Sequence, residues 1–261
     1  MDLQLEGRSA LVTGADRGTG KVIAESLAAE GVRVVLHGFS EQASREACAD
    51  TANAVPVWGD ITCTQGTAEL LEQLSSLAPV DVLINNYGGA SRGKWSDSPE
   101  QDWLDMYQKN VLSAARLVQG LLPTMRERGW GRIVQLGTIG SHQPNAVMPA
   151  YYAAKGALAT LSASLALEVS NTGITVNTVS PGLIHTEEVE AAYRARAQRR
   201  GWGSDWSEIL ARIVAEDFPN PVGRLATRQE VADLVVYLCS PRAGFIHGQN
   251  IRVDGGAVRY V

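Results

Sequence analysis

Short apolar, β-branched runs alternate with longer helical patterns along this chain, and that alternation leaves few folds open to it. Ser9 to Thr13, Val32 to Leu36, Val55 to Trp58, Val80 to Ile84, Arg132 to Leu136, Ile174 to Val179 and Asn250 to Val253 read as strands. Helical patterns separate them, from Lys21 to Glu30, from about Ser40, along Leu70, Leu71, Leu74 and Leu77, from Ser98 to Arg128, from Pro149 to about Ser170 and over Val231 to Leu238. The strands are apolar throughout, so both their faces are covered. The fold class expected is α/β, a single doubly wound parallel sheet of the Rossmann type flanked by helices, with the functional crevice beyond the carboxyl ends of the strands.

Local punctuation supports these boundaries. Gly31 and Gly129 stop the helices before them. Ser98-Pro99-Glu100-Gln101 opens one helix, with Ser98 as cap, Pro99 in the first turn and Gln101 bonding back, and Thr227 with Glu230 forms a second capping pair. Residues 182–224 break the rhythm with two helical patterns, Glu187–Arg200 and Asp205–Glu216, and no strand. A helical substrate lid over 183–222, inserted after strand six of a single domain spanning 1–261, is the expectation.

The 45% apolar content is enough for a sizeable core, and the net charge of −5 argues against nucleic acid or an anionic membrane as partner. No apolar run approaches the ~20 residues of a membrane-spanning helix. The first residues lack a secretory pattern. Cys48, Cys63 and Cys239 are far apart and without metal-ligand spacing, which suits incidental thiols in a reducing, cytoplasmic compartment, and no metal is expected.

The segment Thr13-Gly14-Ala15-Asp16-Arg17-Gly18-Thr19-Gly20 joins the first strand to the first helix. Gly14 suits a tight turn, while Gly18 and Gly20 let backbone approach a pyrophosphate at a helix N-terminus. A dinucleotide site is expected there. A ribose 2′-hydroxyl is usually held by a carboxylate after the second strand, but here that stretch reads Leu36-His37-Gly38-Phe39-Ser40. Arg17 can meet a 2′-phosphate, with His37 and Ser40 adding hydrogen bonds, so NADP(H) is favoured over NAD(H). Phe39 stands where a second arginine would be useful.

Tyr151 and Lys155 lie four apart in a helical pattern and so face the same side. An adjacent ammonium and a cationic nicotinamide would lower the phenol's pKa toward 7 and make Tyr151 a general acid in reduction and a base in oxidation. Thr138, just past the fifth strand, can polarise a substrate oxygen. Asn110 lies in the preceding helix, where bonding a backbone carbonyl is the plainer role.

Together these residues resemble the short-chain dehydrogenase/reductase family, and its 3-oxoacyl-carrier-protein reductase-like members, over essentially the whole chain. The ordered motifs are the Gly-rich turn, Asp60, Asn85-Asn86-Tyr87-Gly88, Asn110, Thr138, Tyr151/Lys155 and Pro181-Gly182. The resemblance implies that Asp60 and Ile61 sit by the adenine, Asn86 and Gly88 by the adenosine ribose, and Ile184 and Thr186, after Pro181 and Gly182, by the carboxamide. It implies that Lys155 holds the nicotinamide ribose and that Asn110 holds a water in a proton relay. Two departures stand out. Thr138 replaces the usual serine, and Tyr87 replaces a small residue in Asn-Asn-Ala-Gly, where it can crowd or reshape the cofactor cleft.

The reading is an NADP(H)-dependent oxidoreductase acting on a small carbonyl or secondary alcohol. An NAD-dependent alcohol or hydroxy-acid dehydrogenase of the same family and a non-catalytic nucleotide-binding scaffold are the alternatives, and the Tyr151–Lys155 pair disfavours an epimerase or dehalogenase. Trp95, Met148, Trp202, Trp206 and Phe218 are candidate substrate walls. The run Arg194, Arg196, Arg199, Arg200 either attracts an anionic substrate such as an acyl carrier or is a solvated helix face. The resemblance also implies a homotetramer or dimer through Pro99–Arg128 and Pro149–Ser170.

Overall fold

In the computed structural model, which describes residues 1–260, seven strands form one sheet. They are β1 (Ser9–Val12), β2 (Arg33–Gly38), β3 (Ala54–Trp58), β4 (Val82–Asn85), β5 (Gly131–Leu136), β6 (Ile174–Pro181) and β7 (Asn250–Val253). Their order is β3-β2-β1-β4-β5-β6-β7 and every pairing is parallel. The order reverses between β1 and β4, so the chain leaves these neighbours in opposite directions and a crevice opens beyond their carboxyl ends.

Alternate residues of each strand enter opposite core layers. Val12, Val34, Ile84, Val134 and Val179 pack with Ile23 and Leu27 of α1 (Gly18–Ala29) and with Val235 and Leu238 of α9 (Arg228–Cys239). Leu11, Val35, Leu83, Ile133 and Val176 pack on the other side with Leu70, Leu117 and Leu165. Those three come from α3 (Thr64–Ser75), α5 (Ser113–Glu127) and α6 (Pro149–Glu168). Burial on both faces is why the strands carry no polar alternation.

The remaining helices are α2 (Glu41–Ala49), α4 (Glu100–Tyr107), α7 (Glu187–Arg200) and α8 (Trp206–Arg212). Beyond β6, Trp202, Ile209 and Ile213 bury one another with Ala197 and Leu225 in a small core of their own. Among the described residues no helix is long and apolar enough to cross a membrane.

Three local expectations change. First, β2 runs two residues past Leu36, because His37 pairs with Val57 and Gly38 with Trp58. Second, Ser98 does not cap α4. Its backbone N–H bonds Lys94 in the preceding turn, Pro99 holds the cap position, and Gln101 reaches forward to Asp105. Third, the helix expected from Ser98 to Arg128 is interrupted by a π turn, Gln108–Leu112, between α4 and α5. Gly31 and Gly129 do follow α1 and α5 with φ of 78° and 63°.

The capping box at α9 forms as the sequence implies. The Thr227 hydroxyl accepts the Glu230 N–H at 3.2 Å, and the Glu230 carboxylate accepts the Thr227 N–H at 2.8 Å. Gln229 at the same end donates to Ser26 of α1. Replacing Thr227 with Ala is expected to cost about 1 kcal/mol of stability, measured as a lower urea midpoint with an unchanged slope.

Candidate active site

A groove of about 580 Å³ opens at the carboxyl ends of β1, β2 and β4. Gly14, Asp16, Arg17, Gly18, Thr19 and Gly20 line one side, and Ser40, Asn86 and Gly88 also reach it. The turn is packed to backbone contact. A Cβ on Gly20 would overlap the Gly14 carbonyl oxygen and the Asn86 amide nitrogen. That amide nitrogen donates to the Thr13 and Gly14 carbonyls at 2.9 and 3.0 Å, tying the turn to the end of β4. The first N–H groups of α1 face the groove without intrahelical partners, a seat suited to phosphate.

At the other end lies a polar cluster on α4, β5 and α6. Lys155, 4% exposed, donates from Nζ to the Leu136 carbonyl at 2.6 Å. Asn110, in the π turn, donates from Nδ2 to the Gly89 and Met106 carbonyls at 2.8 and 2.9 Å. Its buried Oδ1 has no partner. A Cβ on Gly88 would come within 2.7 Å of that Oδ1 and 2.8 Å of Lys155 Nζ, so both groups converge where residue 88 has no side chain. Tyr151 lies one turn before Lys155, on the partly buried helix start. Thr138 follows β5, and its Oγ1 accepts the Gly140 N–H at 3.2 Å, leaving its proton free to bond outward. That hydroxyl faces the Tyr151 phenol and favours its ionised form.

The chain matches, over residues 14–258, the family model described as Enoyl-(Acyl carrier protein) reductase. It is 35% identical over 257 residues to the 3-oxoacyl-[acyl-carrier-protein] reductase FabG of Escherichia coli, covering 97% of this chain and 98% of that one. The structure of L-sorbose reductase from Gluconobacter frateurii, complexed with NADPH and L-sorbose, superposes with a TM-score of 0.94 at 32% identity over 100% of both chains. A 3-oxoacyl (acyl-carrier-protein) reductase from Agrobacterium tumefaciens C58 with NADP bound superposes at 0.85, with 31% identity over 97% of this chain and 95% of that one.

The chain belongs to the short-chain dehydrogenase/reductase family. It is therefore an NAD(P)-dependent oxidoreductase of that family. The groove fits the nicotinamide cofactor: the backbone cradle at Gly20 has no room for a side chain, and the unpartnered Asn110 Oδ1 and the Lys155 ammonium lie beside Gly88, which lines it.

Within this short-chain dehydrogenase/reductase, several expected contacts are placed otherwise. His37 is fully buried in β2. Its Nδ1 accepts the Gly14 N–H at 3.2 Å and its Nε2–H donates to the Gly59 carbonyl at 3.0 Å, so both ring nitrogens are used. Burial lowers its pKa, and the neutral ring braces the turn and offers nothing to a 2′-phosphate. Ser40 caps α2, its oxygen accepting the Ala43 N–H, and keeps its proton for an outward bond. The Ile61 side chain is 1% exposed, in the core with Leu70, and is not among the groove-lining residues. Asp60 is exposed, and its Oδ1 accepts the Thr62 N–H and hydroxyl at 2.9 and 2.6 Å, which leaves Oδ2 uncommitted. Phe39, Ala43, Tyr87 and Glu188 line the groove instead. The Tyr87 departure was legible in sequence; Glu188 was not, because only the folding-back of α7 brings it there.

Beyond β6, Pro181 ends the strand, Gly182 donates to the Val253 carbonyl and lies under the Phe218 ring, Ile184 pairs with Ala226, and Thr186 caps α7 through Val189. Trp202 is buried under the guanidiniums of Arg196, Arg200 and Arg212, inside the small core beyond β6, and so is not a substrate wall. Trp95 is 76% exposed against Trp103, and Trp206 stacks on His185. Arg194 pairs with Glu190 and Arg196 with Asp217, which takes half of the arginine run out of contention for a substrate anion.

Desolvation dominates the ionisation of the central pair. Burial pushes the Tyr151 phenol up to about 12, with the neighbouring Tyr152 adding and Thr138 opposing. Burial brings Lys155 down to about 8. The ammonium is bonded to a backbone carbonyl, and the apolar surroundings that desolvate it also penalise a phenolate.

Replacing Gly88 with Ala would force Asn110 Oδ1 and Lys155 Nζ apart. A loss of about 10- to 100-fold in turnover is expected, with an unchanged circular dichroism spectrum and melting temperature.

Proposed function

We propose that this chain is an NADP(H)-dependent reductase of ketones, or dehydrogenase of the corresponding secondary alcohols, with Tyr151 as its acid–base group. The observation that carries the reading is the convergence of the Lys155 ammonium and the unpartnered Asn110 Oδ1 on Gly88, one helical turn from Tyr151, at the end of the phosphate cradle. The relatives named for 3-oxoacyl and L-sorbose reduction share one chemistry, a ketone taken to a secondary alcohol.

When bound, the nicotinamide supplies or accepts the hydride. Tyr151 handles the proton. With a pKa pushed up to about 12 it is a phenol at neutral pH, the form reduction needs, and it donates to the substrate oxygen. The Thr138 hydroxyl orients that oxygen. Lys155 would hold ribose hydroxyls of the bound cofactor and stabilise the phenolate left behind; its charge also favours the phenolate that alcohol oxidation requires. Asn110, through its free Oδ1, would hold the water of a relay that returns a proton from solvent toward Lys155 and Tyr151 during reduction. The segment 183–222 is the lid of a single catalytic domain: Phe218 reaches Gly182 and Glu188 reaches the groove. Exposed Leu104, Tyr107 and Leu167 support pairing of copies through α4 and α6.

For the cofactor, exposed Arg17 at the groove, the Ser40 hydroxyl and the lack of a carboxylate on Phe39 or Ser40 favour a 2′-phosphate. Arg17→Ala is expected to weaken NADPH binding about 10- to 100-fold while leaving NADH unchanged. Titration by nucleotide fluorescence checks this, and equal losses for both cofactors would reject the assignment.

Tyr151→Phe is expected to lower kcat for ketone reduction by about 100-fold or more, and retained turnover would remove Tyr151 from the chemistry. Lys155 sets the pH dependence. Its folded value of about 8 means the ammonium is present below that pH and lost above it. The kcat/KM for the cofactor, which reports the free enzyme, should be level near neutrality and fall about tenfold per unit above about pH 8. Lys155→Met should be slow and level over the same range.

A further inference from the structure

The adenosine half of a dinucleotide must lie at the end of the groove away from Lys155, past the Gly-rich turn toward β2 and α2. Among the groove-lining residues there, the flat apolar surfaces are two aromatic rings. Phe39 leaves the end of β2 and Tyr87 the end of β4, and their centroids lie 4.6 Å apart at 51°. Phe39 is 41% exposed, which is unusual for a large apolar ring unless something covers it. Tyr87 is half-buried, its stem against Gly14: a Cβ there would meet the Tyr87 Cβ at 3.2 Å. Its far end approaches Asp60, whose carboxylate, after burial, holds the phenol in its neutral form. The ring thus reaches from the Gly-rich turn toward Asp60, which follows β3, and packs on the core layer that contains Ile61.

The pair is held before any ligand arrives. Phe39 leans edge-on against His37 at 5.6 Å, and His37 is fixed by its bonds to Gly14 and Gly59. The Tyr87 N–H donates to the Thr13 hydroxyl at 3.0 Å, which fixes the backbone that carries the second ring. Arg17 and Ser40 flank the same end, where a phosphate on the adenosine ribose would be met.

We propose that Phe39 and Tyr87 are the adenine seat of this enzyme, with the purine stacked on the aromatic pair in place of an aliphatic slot beside Ile61. Purine and aromatic ring attract through their π faces, and one such contact is worth about 5- to 100-fold in affinity. The proposal rests on the reading of the groove as a dinucleotide site, and its test is independent of hydride transfer.

The probe is adenosine 2′,5′-bisphosphate, which is redox-inert, with reduced nicotinamide mononucleotide as the adenine-free control, both titrated at equilibrium. Tyr87→Ala is expected to weaken the bisphosphate about 5- to 100-fold and Phe39→Ala by a smaller factor, with Tyr87→Phe close to the parent and the mononucleotide unmoved in all three. Unchanged or tighter bisphosphate binding by Tyr87→Ala would mean that the ring blocks the base and does not seat it. Parallel weakening of the mononucleotide would mean a general disturbance, and either result overturns the proposal. On the unmodified protein, nuclear Overhauser contacts from adenine H2 or H8 to tyrosine and phenylalanine ring protons are expected, and their absence in a bound sample overturns it as well. Failure of the dinucleotide reading itself would look different, with neither NADPH nor the bisphosphate binding the parent protein.

Discussion

A lysine ammonium buried to 4% exposure with one backbone carbonyl for a partner is the constraint around which the rest is arranged. Taking such a charge out of water is costly, and the folded protein tolerates it only because neighbouring groups are aimed at it. The carboxyl end of β5 supplies the Leu136 carbonyl, the missing side chain at Gly88 leaves room beside Nζ, and Asn110 turns an uncommitted oxygen toward the same place. The π turn that carries Asn110 is part of this arrangement. Widening the helix by one residue lets Nδ2 hold the Met106 carbonyl while Oδ1 stays free, and such turns inside α-helices occur often at functional sites.

The protonation pattern follows from desolvation more than from pairing. The same apolar helix start that lowers Lys155 raises Tyr151, so the two groups do not simply exchange stabilisation as a tyrosine and a lysine on an exposed helix face would. On the proposed reading, reduction starts from a phenol that already carries its proton. Oxidation has to draw on charge that arrives with the cofactor.

Much of this was legible in the residues. Both-sided apolar strands announced the parallel sheet, β7 falls on Asn250–Val253 as its pattern reads, and the Thr227–Glu230 box forms because its two side chains satisfy each other locally. The pairing of Tyr151 with Lys155 on α6 was legible because helical spacing alone puts residues four apart on one face. What escaped depended on tertiary contact. His37 read as a loop residue because nothing local says that β3 will extend the ladder past Leu36. Ser98 read as a cap because the turn that consumes its N–H is invisible in composition. The π turn at Asn110 has no sequence signature, and the burial of the Ile61 side chain follows from its packing with Leu70.

The brace formed by His37 also bears on redesign. Engineers who wish to exchange one nicotinamide coenzyme for the other usually begin at the tip of the second strand. In this molecule that position is a structural rivet joining two backbones, so altering it would loosen the turn before it retuned any preference. The adjustable positions are its neighbours on the rim, Arg17, Phe39 and Ser40, which reach the groove without holding it together.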